Sequence, residues 1–299
     1  MSGLHIIWFR NDLRAHDHAA LRGACHTADR DGGAVLALYI ASKDAADDSD
    51  AARRSAALDD LRMGLEQRGA LLHLREGAAH DVFSELHRVH GIRSLHMHDV
   101  PFEDEEAPQI ESWALRAGVA FRTYPQFGPA EAPDSFTTAE EHWDAYMARP
   151  RFETPDIEDA ANIGIGRWAE LEQAHSEDRA SQDIGGRRRA IQLLRAFLGS
   201  VADSQRLAIT EANSGAAFYD VLKPYLKLGV LAIREVWQAA SSAHYQMRHA
   251  GQDIRAASIK SFLRRLPELH QSPRSKLVRK PHGQGSRRPA KGRQLSLGL

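Results

Sequence analysis

Trp8-Phe9-Arg10-Asn11-Asp12-Leu13-Arg14 is the stretch on which the fold turns. Its first two residues close an apolar run, and the next five carry two arginines and an aspartate. An apolar run that ends abruptly in charge reads as a buried strand delivering its chain to a turn. At the carboxyl end of a parallel strand, that turn is where doubly wound α/β folds bind ligands. Arg10 and Arg14 have the chemistry to hold a carboxylate or a phosphate, and Asp12 to pair with one of them. A second reading stays open beside this one: Arg10, Asp12 and Arg14 form an internal salt-bridge network that clamps the turn.

Outward from the motif, short β-branched and apolar runs recur at residues 34–40, 70–74, 94–98 and 119–123. Between them lie segments of helical period. One covers 51–67, with Ala57, Leu58, Leu61 and Leu65 on one face. Another covers 78–90, with Val82, Phe83 and Leu86. A third covers 104–117, with Ile110, Trp113 and Leu115. Gly69, Gly91 and Gly118 follow these segments, where helices are commonly closed by glycine. Strands alternating with helices predict right-handed βαβ units, here a doubly wound five-stranded parallel sheet over residues 1–125.

Residues 126–185 lose this rhythm and are punctuated by Pro129, Pro133, Pro150 and Pro155. They read as an interdomain linker with one helix near 139–147. From Gly186 the period becomes helical. Ala190, Leu193, Leu194, Phe197 and Leu198 share one face, and Phe218, Leu222, Tyr225 and Leu226 another. Ile233, Val236, Trp237 and Ala240 form a third, and a fourth helix covers about 254–266. Residues 186–270 thus predict a shortened all-helical domain.

Composition excludes several classes. The single cysteine, Cys25, rules out disulfides and a zinc–cysteine cluster. No apolar stretch approaches a membrane span, and the first residues carry no signal-peptide pattern, so a cytoplasmic protein is expected. The histidines of 80–98 lie on different elements and predict no metal site. The acidic run Glu103-Asp104-Glu105-Glu106 suits a helix start. The formal net charge is −1, but residues 271–299 carry eight basic residues and no acid, leaving −9 on residues 1–270. That basic tail reads as disordered. It is either a solubilising segment or a weak, nonspecific contact to nucleic acid phosphates.

The heptapeptide, followed by His16-Asp17 and Ala20-Leu21, resembles the opening of DNA photolyases and cryptochromes. Tyr124–Gly128 and His142–Met147 resemble the interdomain segment of one bacterial photolyase branch. Gly185-Gly186-Arg187-Arg188-Arg189-Ala190 resembles the helix opening the family's flavin domain. Leu222–Gly229 with Arg234-Glu235-Val236-Trp237 resembles the segment that carries its Leu-Ser-Pro-Tyr-Leu pattern. The resemblance implies light-driven, FAD-dependent repair of pyrimidine dimers by a deoxyribodipyrimidine photolyase, a carbon–carbon lyase. It also implies an antenna chromophore beside Asp99 and Glu103.

It further implies candidate cofactor contacts at Arg10, Asp12, Arg14, Asp99, Glu103, Tyr219 and Lys223. DNA contacts fall at Arg187 and Arg188, joined by Arg274, Lys276, Arg279, Lys280, Arg287 and Arg288 of the tail. No catalytic residue is assigned. Departures oppose the flavin. Tyr219, Asp220 and Lys223 stand where the family places small hydroxyl residues around the flavin diphosphate. The residues from Ser261 to Glu268 lack the family's tryptophan, and the helices that would enclose the isoalloxazine are not in the sequence. The expectation is therefore a truncated photolyase-like protein without flavin chemistry. The alternative is an antenna- or nucleotide-binding α/β module with a nucleic-acid-binding tail.

Overall fold

The computed structural model describes residues 3–41, 51–99, 106–128, 138–161, 163, 185–199 and 214–269. The calls on Glu103 and on the tail residues Arg274, Lys276, Arg279, Lys280, Arg287 and Arg288 lie outside the described residues.

Five strands form one parallel sheet: β1 (Leu4–Phe9), β2 (Ala34–Ala41), β3 (Leu72–Glu76), β4 (Ile92–His98) and β5 (Ala120–Tyr124). Their order is β3-β2-β1-β4-β5. The chain steps outward from β1 through β2 to β3, then crosses back to β4, so the switch point lies between β1 and β4. All six residues of β1 are buried, as a central strand covered on both faces requires.

The alternation of β1 sorts its side chains into two cores. Leu4, Ile6 and Trp8 join α3 (Ala79–His90) and α4 (Glu106–Ala117). Ile7 and Phe9 join α1 (Ala19–Asp31) and α2 (Ala51–Glu66). The second core runs on without a break into α6 (Arg187–Leu198), α7 (Gly215–Lys227), α8 (Ile233–His249) and α9 (Asp253–Arg265). There Phe197 stacks on Phe218 at 3.9 Å between ring centroids, and Phe262 closes on both. Trp143 and Met147 of α5 (Ala139–Met147) and Ile157 belong to the same core, and Ala160 bridges to Val35 of β2. The stretch from 138 to 161, proline-punctuated in sequence, is thus packed between sheet and helices.

Two local expectations are corrected. The strand expected at 70–74 begins two residues later, because Ala70 still donates its N–H to the last turn of α2, at Leu65. Leu115 is 83% exposed, and Ala114 takes its place on the buried face of α4. The turn after β1 is long: residues 10–18 form a loop, and α1 starts at Ala19.

Trp8 lies edge-on to Phe83 at 5.1 Å, with the Arg10 guanidinium 4.6 Å over its ring. Trp8→Ala removes a fully enclosed ring and is expected to cost about 3–5 kcal/mol. Urea unfolding of the two proteins checks it: superimposable curves would remove Leu4–Phe9 from the centre of the sheet.

Candidate functional site

The switch point is occupied by an aspartate. Asp12 leaves β1 fully buried, and its Oδ1 accepts the N–H of Arg10 at 2.7 Å. Its Oδ2 accepts from His18 Nε2 and from His98 Nδ1, each at 2.9 Å. His18 caps α1, where its Nδ1 accepts the N–H of Leu21 at 2.9 Å. That bond fixes the tautomer: Nδ1 holds the lone pair and Nε2 the proton, which goes to Asp12.

The ligand atoms of Asp12, His18 and His98 lie within 4.8 Å of one another, a spacing that suits a metal ion. The cap opposes one. A metal on Nε2 would force the proton onto Nδ1, against the N–H of Leu21. Burial alone would raise the Asp12 carboxyl, but the hydrogen bonds from His18 and His98 hold it far below the usual carboxylate range. Burial pushes both histidines down, His98 to about 3. The cluster is one carboxylate between two neutral imidazoles.

The next residues carry the loop onto the helical domain. Leu13 donates its N–H to Leu228 O at 3.0 Å, and Arg14 Nη1 donates to Gly229 O at 2.9 Å. Gly229 has φ +64 and lies against the backbone of Asn11 and Asp12, where a side chain would collide. Asp17, itself at φ +47, takes the Arg234 guanidinium on both carboxylate oxygens and the N–H of Phe152 at 2.9 Å. The side chains of Asp17 and Arg234 are 4% and 6% exposed, so this is a buried ion pair across the two domains.

Beside it is a crevice lined by Arg14, His98, Gln126, Tyr146, Phe152 and Arg234, among others. Two buried polar atoms on its lining residues, Arg14 Nε and Gln126 Oε1, have no hydrogen-bond partner among the described residues.

The sequence candidates separate accordingly. Arg10, Asp12 and Arg14 share one loop, but each side chain is engaged by other partners than expected. Asp12 pairs with two histidines rather than an arginine, and Arg10 reaches Glu106 at 3.6 Å. Asp99 follows β4, and its Oδ1 accepts the N–H of Gln126 in a partly buried hydrogen bond. Desolvation of that carboxyl pushes it up to about 6. Tyr219 is fully enclosed in the helical core, with Arg265 4.4 Å and Lys223 5.8 Å over its ring. Burial pushes its phenol up to about 12.

Arg187 is engaged by Glu235 on two nitrogens and by Val230 O, and Arg188 holds Asp60 from an exposed position. Sequence reading passed over His18, His98, Asp17, Gln126 and Arg234. His18 alone left a local signal, standing just before an Ala-Ala-Leu helix start, where a side-chain acceptor can cap.

The −9 of residues 1–270 divides unevenly. Residues 1–185 sum to −16 and residues 186–270 to +7. The helical domain is therefore basic in its own right. Among the described residues, no helix is long and apolar enough to cross a membrane.

Known proteins share this sequence pattern and fold. Residues 5–127 match the DNA photolyase family. Over 77 residues the chain is 39% identical to the deoxyribodipyrimidine photo-lyase of Escherichia coli K12, a match covering 24% of this chain and 16% of that protein. The bacterial class III photolyase of Agrobacterium tumefaciens superposes with a TM-score of 0.61 at 20% identity, over 90% of this chain and 59% of that one. The Synechocystis cryptochrome gives 0.58 at 16% identity, over 88% and 61%. The N-terminal domain is thus similar to that of the DNA photolyase family, and the fold is that of the solved photolyases and cryptochromes. It spans about three fifths of the length of these solved relatives.

Removing one partner of a buried ion pair strands the other charge. Arg234→Met is expected to cost about 3–5 kcal/mol through the uncompensated Asp17. Unfolding followed by Trp fluorescence tests this, and a loss below about 1 kcal/mol, the scale of an exposed pair, would show that the pair does not hold the domains.

Proposed function

We propose that this is a photolyase-superfamily protein in which the helical domain does not run flavin-dependent repair. One observation carries the reading: Tyr219 is fully enclosed, at a position that the family resemblance gives to the flavin diphosphate. An aromatic ring there fills space that small hydroxyl residues would leave open. Arg265 lies over that ring and is bound to Asp220 at 3.1 Å, so the neighbouring cation and anion neutralise each other. Toward a diphosphate that leaves Lys223 as a single point charge. The solved archaeal photolyase of Sulfolobus tokodaii, which contains two FAD molecules, shares the fold at a TM-score of 0.56 and 18% identity.

The α/β domain supports a second reading, a ligand-holding module for an antenna chromophore or a nucleotide. What favours it is the crevice at the switch point. Arg14 Nε supplies a buried donor and Gln126 Oε1 a buried acceptor, beside the rings of Tyr146 and Phe152.

The two readings differ in the spectrum of the purified protein. Stoichiometric FAD released by heat denaturation would overturn the first, whereas a colourless protein or a non-flavin chromophore supports it. DNA is a further expected contact, through the basic helical domain and the tail. Binding is expected to be weak, about 10⁻⁴–10⁻⁶ M at physiological salt, and steeply weakened by added salt. Gel-shift titration of intact and ultraviolet-irradiated duplex should give equal affinities. A preference for irradiated DNA would restore the repair reading.

A further inference from the structure

On the face of the sheet that α1 covers, four side chains form an unbroken hydrogen-bonded row across three strands. His5 Nδ1 meets Ser94 Oγ at 2.7 Å, Ser94 Oγ meets His96 Nε2 at 2.8 Å, and His96 Nδ1 meets Tyr124 Oη at 3.0 Å. His5, Ser94 and His96 are fully buried. At one end, His5 Nε2 has no partner among the described residues and is pressed against Gly33; at the other, the Tyr124 hydroxyl abuts Gly23 of α1. A side chain at either glycine would collide with the row.

Proton counting defines what this row can do. Ser94 has one hydroxyl proton between two imidazoles. With both rings neutral, the row runs in either direction: Tyr124 to His96 to Ser94 to His5, or the reverse. One added proton is accommodated on either ring. A charged His96 donates to Tyr124 and to Ser94, and Ser94 still donates to His5. A second proton has no such place. Both rings would then direct an N–H at Ser94 Oγ, leaving the hydroxyl proton without its imidazole acceptor and two cations side by side in a buried row. Gly23 and Gly33 leave neither end room to retreat.

We propose that His5, Ser94, His96 and Tyr124 form a one-proton store beneath α1, and that a second proton lifts α1 from the sheet. The consequence reaches the domain interface, because the residues that lead into α1 are Asp17, bound to Arg234, and His18, bound to Asp12.

The surroundings set the direction. Burial pushes His5 down, and likewise His96, to about 4. Asp31, at the end of α1, favours charge on His5, whereas Arg30 and Arg93 oppose it; Arg122 on β5 and His5 itself oppose charge on His96. The His98 ring lies beside Tyr124 and is held by Asp12. Because the folded values lie below the ordinary histidine value of about 6.5, the stabilisation is complete above that pH. It is lost as the pH falls toward 4.

Hydrogen exchange of the full chain between pH 7.5 and 4, corrected for intrinsic rates, tests this. Amides of α1 should lose protection on acidification while those of α3, on the other face, keep theirs. In His5→Leu, which cannot take the second proton, the midpoint for α1 should fall by about one pH unit. His96→Gln keeps hydrogen-bonding groups toward both neighbours without titrating, and serves the same purpose should His5→Leu not fold. Loss of α1 and α3 together in the parent protein would overturn the proposal. So would variant curves that follow the parent, since the acid-sensitive step would then belong to the intact Asp12–His18–His98 cluster.

Discussion

The structure depends on one buried negative charge. Asp12 sits where β1 and β4 part, the place at which open α/β sheets present their ligand site. A bare carboxylate there would be prohibitively costly. It is tolerated because three donors from three places converge on it: the N–H of Arg10, His98 at the end of β4, and His18 at the head of α1. Each donor fixes something beyond the charge. His98 ties the loop to the neighbouring strand, and His18 starts α1. With the loop so held, Leu13, Arg14 and Asp17 stand in register to meet Leu228, Gly229 and Arg234.

Seen from the helical domain, that docking is specific rather than strong. Backbone carbonyls at Leu228 and Gly229 accept from the loop, and the close approach at Gly229 admits no side chain. The apolar core passes beneath this polar contact from Phe9 and Leu13 to Leu226 and Val230. Burial of the apolar surface supplies the affinity between the two domains. The polar contacts select one orientation, since a shifted arrangement would leave Arg14 and Asp17 buried without partners.

The sheet was legible because its signals are local. Apolar runs of five to eight residues, set between helical periods and closed by glycines, name their strands without knowledge of anything distant. The misplacements have the same origin. Leu115 was assigned by hydrophobicity, but one residue in a helix turns the side chain by about 100°, and Ala114 faces the sheet instead. The site was only half legible. That Arg10, Asp12 and Arg14 form an internal network was one of two readings of their spacing, but their partners were out of reach. His98 is 86 positions from Asp12, and Arg234 is 217 from Asp17. Neither distance leaves a pattern in a single sequence. The positions that the family resemblance would give to the flavin diphosphate are the opposite case: Tyr219 and Asp220 stand out from the family's hydroxyl residues by their identity alone.

Among the described residues, those before the helical domain are net negative and those of the helical domain net positive, which makes this part of the molecule an electric dipole as well as a weakly charged body. A molecule with a net charge near zero gains little overall from the field of a polyanion, but a dipole experiences a torque. Near a phosphate surface it would turn its helical side forward before touching, within the roughly 8–10 Å over which salt leaves such fields unscreened. The partition of charge therefore acts on the orientation of encounters and on their rate, and leaves the strength of the contact to the residues that finally meet.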